Sequence, residues 1–381
     1  MIRNKTVYLL GAGFSMDAGA PSQAAIIKEI YALKKAYPRK YRTTVHEWVD
    51  KFDVFLKDSL KVDEENKYWY SLEDVYTPID KSISEGNSFR EYTVNELIEI
   101  RDIFNKLITL AVRNAIAKKN KDKSSIVRFA RHLVKEAKLR LDNEKNDRVA
   151  VITTNWDIML DNTIHRIINE ETIPKGKDFN GVVDYCCHIS SLDENDHKVK
   201  PGLYALGKGC YNVKFLKLHG SLNWLQCPKC SRIYVKFYQK WNGGYVFDKK
   251  YCRHCENNFN FTNDKSNQLL TNLVMPTYLK DFKNVQHKVI WQNAGIELSE
   301  ASKVVFLGYS LPQADFELKQ MLSRMIRSDA KIEVVLINED NPENYSGNSK
   351  YQTAGFRFQS FFSNRDLSIY YEGVSKYITG L

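Results

Sequence analysis

VYLLGAGFSMDAGAPS, residues 7–22, sets an apolar run directly against a loop that holds three glycines. KTVYLL (5–10) reads as a short buried strand, and a helical pattern runs from about Ser22 to Ala36. Between them, Gly11-Ala12-Gly13 lets the chain turn sharply and lets backbone N–H groups approach an anion at a helix N-terminus. Ser15 adds a hydroxyl donor. The spacing is G-x-G-x5-G through Gly19, not G-x-G-x-x-G. The acidic residue that an ordinary dinucleotide-dependent dehydrogenase carries at the end of its second strand is missing. Taken alone, the stretch fits either a phosphate loop or a structural turn.

The rest of the chain supplies further strands with the same kind of ending. RVAVITTNWD (148–157), KFLKLHGSLNW (214–224), SKVVFLGYSL (302–311) and KIEVVLINED (331–340) each begin as apolar strands. Helical patterns follow several of them, with Met159, Leu160, Ile164 and Ile167 on one and Phe316, Leu318, Met321, Leu322 and Met325 on another. A last strand and short helix are expected in SIYYEGVSKYI. Residues 170–212 read as irregular. Strands alternating with helices predict an α/β fold, a doubly wound parallel sheet of the Rossmann-like kind, whose ligands collect outside the carboxyl ends of the strands. GAGFS, TTNWD, LHGS and LGYS all fall at such ends. Residues 40–145 differ in texture: charged, poor in glycine and proline, apolar at helical spacing (Leu97, Ile98, Ile103, Phe104, Leu107, Ile108, Ala111). The expected organisation is a first sheet segment (1–39), a helical insertion (40–145), the sheet continued (146–226), a cysteine module (227–258) and a closing sheet segment (259–381).

At 381 residues and 43% hydrophobic, the chain can bury a large core. No apolar run reaches the ~18 residues of a membrane span, and no signal peptide is read at the start, so a cytoplasmic location is expected. The net charge of +10 is spread along the chain, and its densest run, KKNKDK (118–123), includes an Asp. That pattern suits a lysine-rich soluble protein better than a polyanion binder. Of seven cysteines, four form C-P-K-C (227–230), then 21 residues, then C-R-H-C (252–255). Cys227, Cys230, Cys252 and Cys255 fit a four-thiolate zinc site of the ribbon type, with no open coordination position and therefore structural. The module is aromatic (Tyr234, Phe237, Tyr238, Trp241, Tyr245, Phe247) and basic (Lys229, Arg232, Lys236, Lys249, Lys250, Arg253). Direct nucleic-acid contact through it is weighed and not favoured. Cys186, Cys187 and Cys210 read as ordinary thiols.

In order along the chain, these stretches resemble the sirtuin (silent information regulator) family. GAGFSMDAGAPS (11–22) is similar to its first NAD-binding motif, TTNWD (153–157) to its Thr-Gln-Asn-Ile-Asp motif, and KLHGS (217–221) to its catalytic His-Gly motif. The paired CxxC units follow directly. GYS (308–310) and VLIN (335–338) resemble its late motifs on the adenosine half. The chain departs from the acyl-removing sirtuins at three places, one of them the segment that pairs with the acyl-lysine peptide. Ser22-Gln23 follows Gly19-Ala20-Pro21 where an apolar or acidic residue and then Phe-Arg are expected, Thr154 replaces Gln, and LVMPTYLKDF (273–282) lacks the Phe-Gly-Glu segment. This pattern resembles the divergent sirtuin-like NADases of prokaryotic antiphage defence. The helical block at 40–145 matches nothing in a sirtuin.

The resemblance implies an NAD+ glycohydrolase, releasing nicotinamide and ADP-ribose and depleting NAD. Cleavage of that bond passes through an oxocarbenium-like transition state and uses the remote half of the dinucleotide for positioning. Gly11, Ala12, Gly13 and Ser15 would meet the pyrophosphate. Asn155 would orient the ribose or a water through its amide. His219 would act as general base on the ribose hydroxyls. Asp157 would contact the carboxamide or order the loop. Gly308, Ser310 and Asn338 would contact adenosine. The resemblance also implies a homo-oligomer and a HerA-like ATPase partner. The alternatives are an NAD-dependent protein deacylase and a non-catalytic NAD- or ADP-ribose-binding scaffold of a nucleic-acid-processing complex.

Overall fold

The computed structural model describes residues 4–118, 123–194, 199–200, 202–238, 246–259, 265–275, 277 and 284–381. Chain order opens with β1 (Thr6–Leu10), α1 (Ala12–Met16) and α2 (Ile26–Ala36). Four longer helices follow: α3 (Arg39–Val54), α4 (Leu72–Glu85), α5 (Val94–Lys118) and α6 (Ser124–Lys138). Then come β2 (Val149–Thr153), α7 (Met159–Asn169), β3 (Gly181–Asp184), β4 (Ile189–Ser191) and α8 (Gly202–Leu206). β5 (Tyr211–Lys217), β6 (Gly220–Gln226), β7 (Ile233–Val235), α9 (Arg253–Phe259) and β8 (Leu270–Leu273) form the middle of the chain. It closes with α10 (Val285–Glu300), β9 (Lys303–Leu307), α11 (Phe316–Met325), β10 (Lys331–Val335), α12 (Ala354–Phe361), β11 (Leu367–Tyr370) and α13 (Val374–Thr379).

Seven strands form one sheet in the order β11-β10-β9-β1-β2-β5-β3, every pair parallel. β2 is buried along its whole length, and β1 everywhere but its first residue. That is what VYLL and VAVI, apolar without alternation, dictate for central parallel strands covered on both faces. The architecture is the doubly wound α/β sheet expected from the sequence. β1 pairs with β2 on one side and β9 on the other. The crevice at this reversal of strand order opens beyond Leu10, Thr153 and Leu307.

Two expectations change. Residues 170–212 are not irregular: they hold β3, the edge strand of the main sheet, with β4 and α8. β3 has only four residues, and Gly181 lets the Tyr211 ring of β5 pack where a side chain would stand. A strand so short leaves no periodic signal. KFLKLHGSLNW (214–224), expected as one strand running into a turn, is two strands: β5 ends at Lys217 and a new strand begins at Gly220. The new strand is β6, the centre of a second, four-stranded sheet in the order β4-β7-β6-β8.

Packing divides the chain at different residues from those where its texture changes. α6 lies on the main sheet, with Ile126, Phe129, Leu133 and Val134 in the sheet's core. α2 to α5 share a second core with Leu222 and Leu225 of β6 and with Cys227, Cys252 and Cys255. Phe247 joins the two parts by stacking on Tyr41 (ring centroids 4.2 Å apart) and Trp48 (5.6 Å). Helical insertion and cysteine module are therefore one layer. Trp241 and Tyr245 lie outside the described residues, as does part of 273–282. No helix of the described residues is long and apolar enough to cross a membrane.

At the opposite, amino end of the sheet, Lys5 is fully buried among Asp147 (2.8 Å), Glu297 (2.5 Å) and Glu300 (2.7 Å). Lys214 also pairs with Asp147 and Glu297, and Arg140 with Asp147. Burial opposes ionisation of Asp147, yet Lys214, Lys5 and Arg140 together hold its carboxyl below the usual carboxylate range. Such a group stabilises the fold above its unfolded pKa, about 3.9, and loses that contribution as pH falls through the folded value. Lys5→Met leaves buried carboxylates short of a cation. Urea denaturation at pH 7 is expected to show a loss of roughly 3–5 kcal/mol, and the deficit should shrink toward pH ~3 as the carboxylates protonate.

Candidate active site

Three strand ends meet at one junction. Gly11 N–H donates to Leu307 O (3.1 Å) and Gly13 N–H to Gly308 O (2.9 Å), so the turn after β1 is bonded to the turn after β9. A Cβ on Gly11 would lie 2.5 Å from Tyr309 Cα, and one on Gly308 would lie 2.4 Å from the Gly13 carbonyl carbon. Gly308 also has φ +61°, the left-handed region. These glycines are needed because backbone touches backbone there.

β2 joins the junction through Asn155. Its Nδ2 donates to Gly11 O (2.8 Å) and lies 3.4 Å from Ser15 Oγ, and its N–H donates to Thr153 Oγ1 (3.0 Å). A carbonyl can only accept, so Gly11 O fixes which end of the amide is nitrogen and leaves Oδ1 as the group for a ligand. Asp157 Oδ1 accepts from Met159 N–H at 3.0 Å, an Asx turn leading into α7. The Asp157 carbonyl accepts from Lys217 Nζ (2.6 Å), and Lys217, itself buried, lies 3.6 Å from Asp161. β5 thereby clamps the loop that carries Asn155.

His219 lies between β5 and β6 and is only 3% exposed. Gly220 follows it at φ +72°, where a Cβ would come within 2.5 Å of Asn272 O. Trp291 Nε1 donates to Leu218 O (3.0 Å), fixing the backbone one residue earlier. Nε2 of His219 lies 3.9 Å from Asp315 Oδ1.

These groups line a cavity of about 490 Å³. Of the residues expected from sequence, Ala12, Gly13, Asn155, Asp157, His219, Gly308 and Ser310 line it. Gly11 and Ser15 stand behind the wall as partners of Asn155. Asn338 stands outside the lining, its Oδ1 and carbonyl oxygen accepting from Asn344 Nδ2, while neighbouring Ile337 and Asp340 face the cavity. The helical layer contributes Glu73, hydrogen-bonded to Gln23, and Val112. Sequence reading missed Asp315, Tyr309, Glu73 and Asp340. Asp315 carried one faint signal, a lone acid just before a helical pattern. Among the described residues, the charged members of the lining are Asp17, Glu73, Asp157, Asp315 and Asp340, all acidic.

The cysteine cluster lies apart from this cavity. A Zn–S bond of about 2.3 Å puts tetrahedral sulfurs about 3.8 Å apart. Here Cys227 and Cys255 Sγ are 3.8 Å apart, Cys230 and Cys252 Sγ 3.6 Å, and all four lie within 4.8 Å of one another. The donors therefore fit one closed four-thiolate site, and the Tyr234 hydroxyl, 3.4 Å from Cys252 Sγ, adds an outer contact.

No protein-family model matches this chain, and no curated protein sequence matches it. Solved structures similar to it include Sir2 bound to an acetylated peptide, at 16% identity over 99% of this chain and 91% of that one, with a TM-score of 0.39. A Sir2 complex with a p53 peptide and NAD+ gives 16% identity, the same coverage and a TM-score of 0.37. A structure addressing sirtuin substrate affinity gives 17% identity, coverage of 99% and 92%, and a TM-score of 0.38. The likeness is remote.

Two outcomes check the site's framework. Gly308→Ala adds both a left-handed backbone penalty and a clash and should cost about 2–5 kcal/mol by urea denaturation. Gly347→Ala is the control: φ is +60° but nothing lies within 4 Å of the added Cβ, so only about 1–2 kcal/mol is expected. Metal analysis should find zinc bound stoichiometrically, and Cys255→Ser should lose the metal together with the thermal stability of the helical layer that shares its core.

Proposed function

We propose that this chain is an NAD+ glycohydrolase that cleaves the nicotinamide–ribose bond with water as acceptor, giving nicotinamide and ADP-ribose. The observation that carries the reading is the convergence of Asn155 and His219 on one cavity at the carboxyl ends of β2 and β5, beside the start of α1. In this reading the adenosine half lies toward Ser310 and Ile337, and the scissile linkage lies between Asn155 and His219. Asn155 Oδ1 orients the ribose or the attacking water. His219 takes a proton from a ribose hydroxyl as charge develops at the anomeric carbon. The acidic lining suits a cationic nicotinamide ring before cleavage and favours the oxocarbenium-like state.

A buried, closed thiolate cluster supplies no Lewis acid to this cavity. Zinc held by Cys227, Cys230, Cys252 and Cys255 would stiffen the wall that carries β6. Because Glu73 and Val112 reach the cavity from the helical layer, that layer is the natural place for control of an activity that would otherwise drain the cell's NAD. The resemblance extends the proposal to antiphage defence, with homo-oligomer assembly and a HerA-like ATPase partner. The Ser22-Gln23 departure favours hydrolysis over NAD-dependent deacylation.

Nicotinamide release from NAD+, followed by HPLC, tests the reading. Asn155→Ala and His219→Ala should each lower kcat by about 10²-fold or more while folding normally. Release that requires an acyl-lysine peptide would favour the deacylase. Intact biological activity in both variants would favour the scaffold.

A further inference from the structure

Beside His219 the cavity holds a carboxylate that the chemistry above uses only as part of the acidic lining. Asp315 is 4% exposed, lines the same cavity, and stands immediately before α11. Its Oδ1 lies 3.9 Å from His219 Nε2. That is roughly 1 Å beyond a hydrogen bond, a looseness common in unliganded acid–base pairs that tighten when substrate binds. The carboxylate is itself held in place. The Tyr309 hydroxyl donates to Asp315 Oδ2 at 2.9 Å, and burial, helped by the charge of Asp315, keeps that phenol protonated. Tyr309 directly follows Gly308, whose contact with Gly13 fixes the start of this segment. The aim of Asp315 is therefore set by the same junction that sets Asn155.

We propose that Asp315 is the positioning residue for His219, drawing one ring nitrogen toward its carboxylate so that the other meets the ribose hydroxyl. This rests on the NAD+ glycohydrolase reading for its chemistry. The tautomer it selects carries hydrogen on the nitrogen facing Asp315 and a lone pair on the nitrogen facing the substrate. When the imidazole takes the hydroxyl proton, the adjacent carboxylate stabilises the cation formed. Substrate specificity is left to the rest of the cavity.

Other charges around His219 set the background. His287 on α10 is pushed down to about 4, by burial first and by His219 second, so it is neutral at neutral pH. Asp157 lines the same cavity. Lys217, two residues earlier, has its ammonium on the Asp157 carbonyl and near Asp161. Lys319 on α11 interacts with Asp315 and Arg357, and Arg357 on α12 interacts with Tyr309 and donates to Ser310 O. Removing the Asp315 charge takes away an anion next to the imidazole, which lowers the pKa of His219.

The test begins without substrate. In protein labelled at histidine, NMR titration assigned with His219→Ala should show the His219 ring titrating about one pH unit or more lower in Asp315→Asn than in the unaltered chain. Asp315→Ser, smaller and also uncharged, should do the same if Asp315→Asn fails to fold, and Asp315→Glu should restore part of the shift. With NAD+ present, the acidic limb of kcat/KM should move to lower pH in Asp315→Asn, with kcat down about tenfold or more and KM little changed. An unmoved His219 titration in the uncharged variants, or a kcat loss with an unmoved limb, overturns the proposal. If the unaltered chain releases no nicotinamide, the glycohydrolase reading fails, while the titration still decides whether Asp315 and His219 are coupled.

Discussion

The site depends on one close approach of backbone to backbone. Gly11 and Gly13 hydrogen-bond to the carbonyls of Leu307 and Gly308, with room for no side chain between them. Asn155 and Asp315 are both referenced to that contact. Asn155 hangs its amide on the Gly11 carbonyl, Tyr309 begins the segment that aims Asp315, and Ala12 opens α1 at the cavity wall. Three parallel strands from distant parts of the chain are thereby tied to one another at their carboxyl ends. Loops tied to the sheet at such a junction are held in place, as a site that cleaves a bond would require.

Around this junction the second layer does two jobs with one core. The cysteine cluster shares apolar cover with α2 to α5. Those helices gain in return a rigid neighbour and a path to the cavity through Glu73 and Val112. A displacement of the helical layer would be felt at the cavity wall, because Gln23 and Glu73 bridge the two. The buried ion cluster around Lys5 lies at the other end of the sheet and fixes the start of β1.

Much of this was legible in the sequence, for identifiable reasons. Central strands buried on both faces read as VYLL, VAVI, VVFL and EVV, and their Gly- or Asn-bearing ends pointed to one edge of the sheet. CxxC spacing is set by metal geometry and survives without context. β3 was not legible, since four residues around a Gly–Tyr packing contact leave no periodicity. The boundary of the helical layer was not legible either: α6 and α2 are both amphipathic, and only tertiary contact decides which core each face meets. Gly11 and Ser15 were read as ligand contacts because sequence shows that glycine is required but not what approaches it. Asp315 was missed because its partner is far away in sequence and close only in space.

The most direct measurement of the central claim is a crystal structure of His219→Ala with NAD+ bound. The account predicts the dinucleotide in the 490 Å³ cavity, its nicotinamide–ribose linkage between Asn155 Oδ1 and the vacated imidazole position and its adenosine toward Ser310 and Ile337. NAD+ bound elsewhere, for example in the groove beside Arg166 and Lys236, or a scissile linkage remote from Asn155, would contradict it.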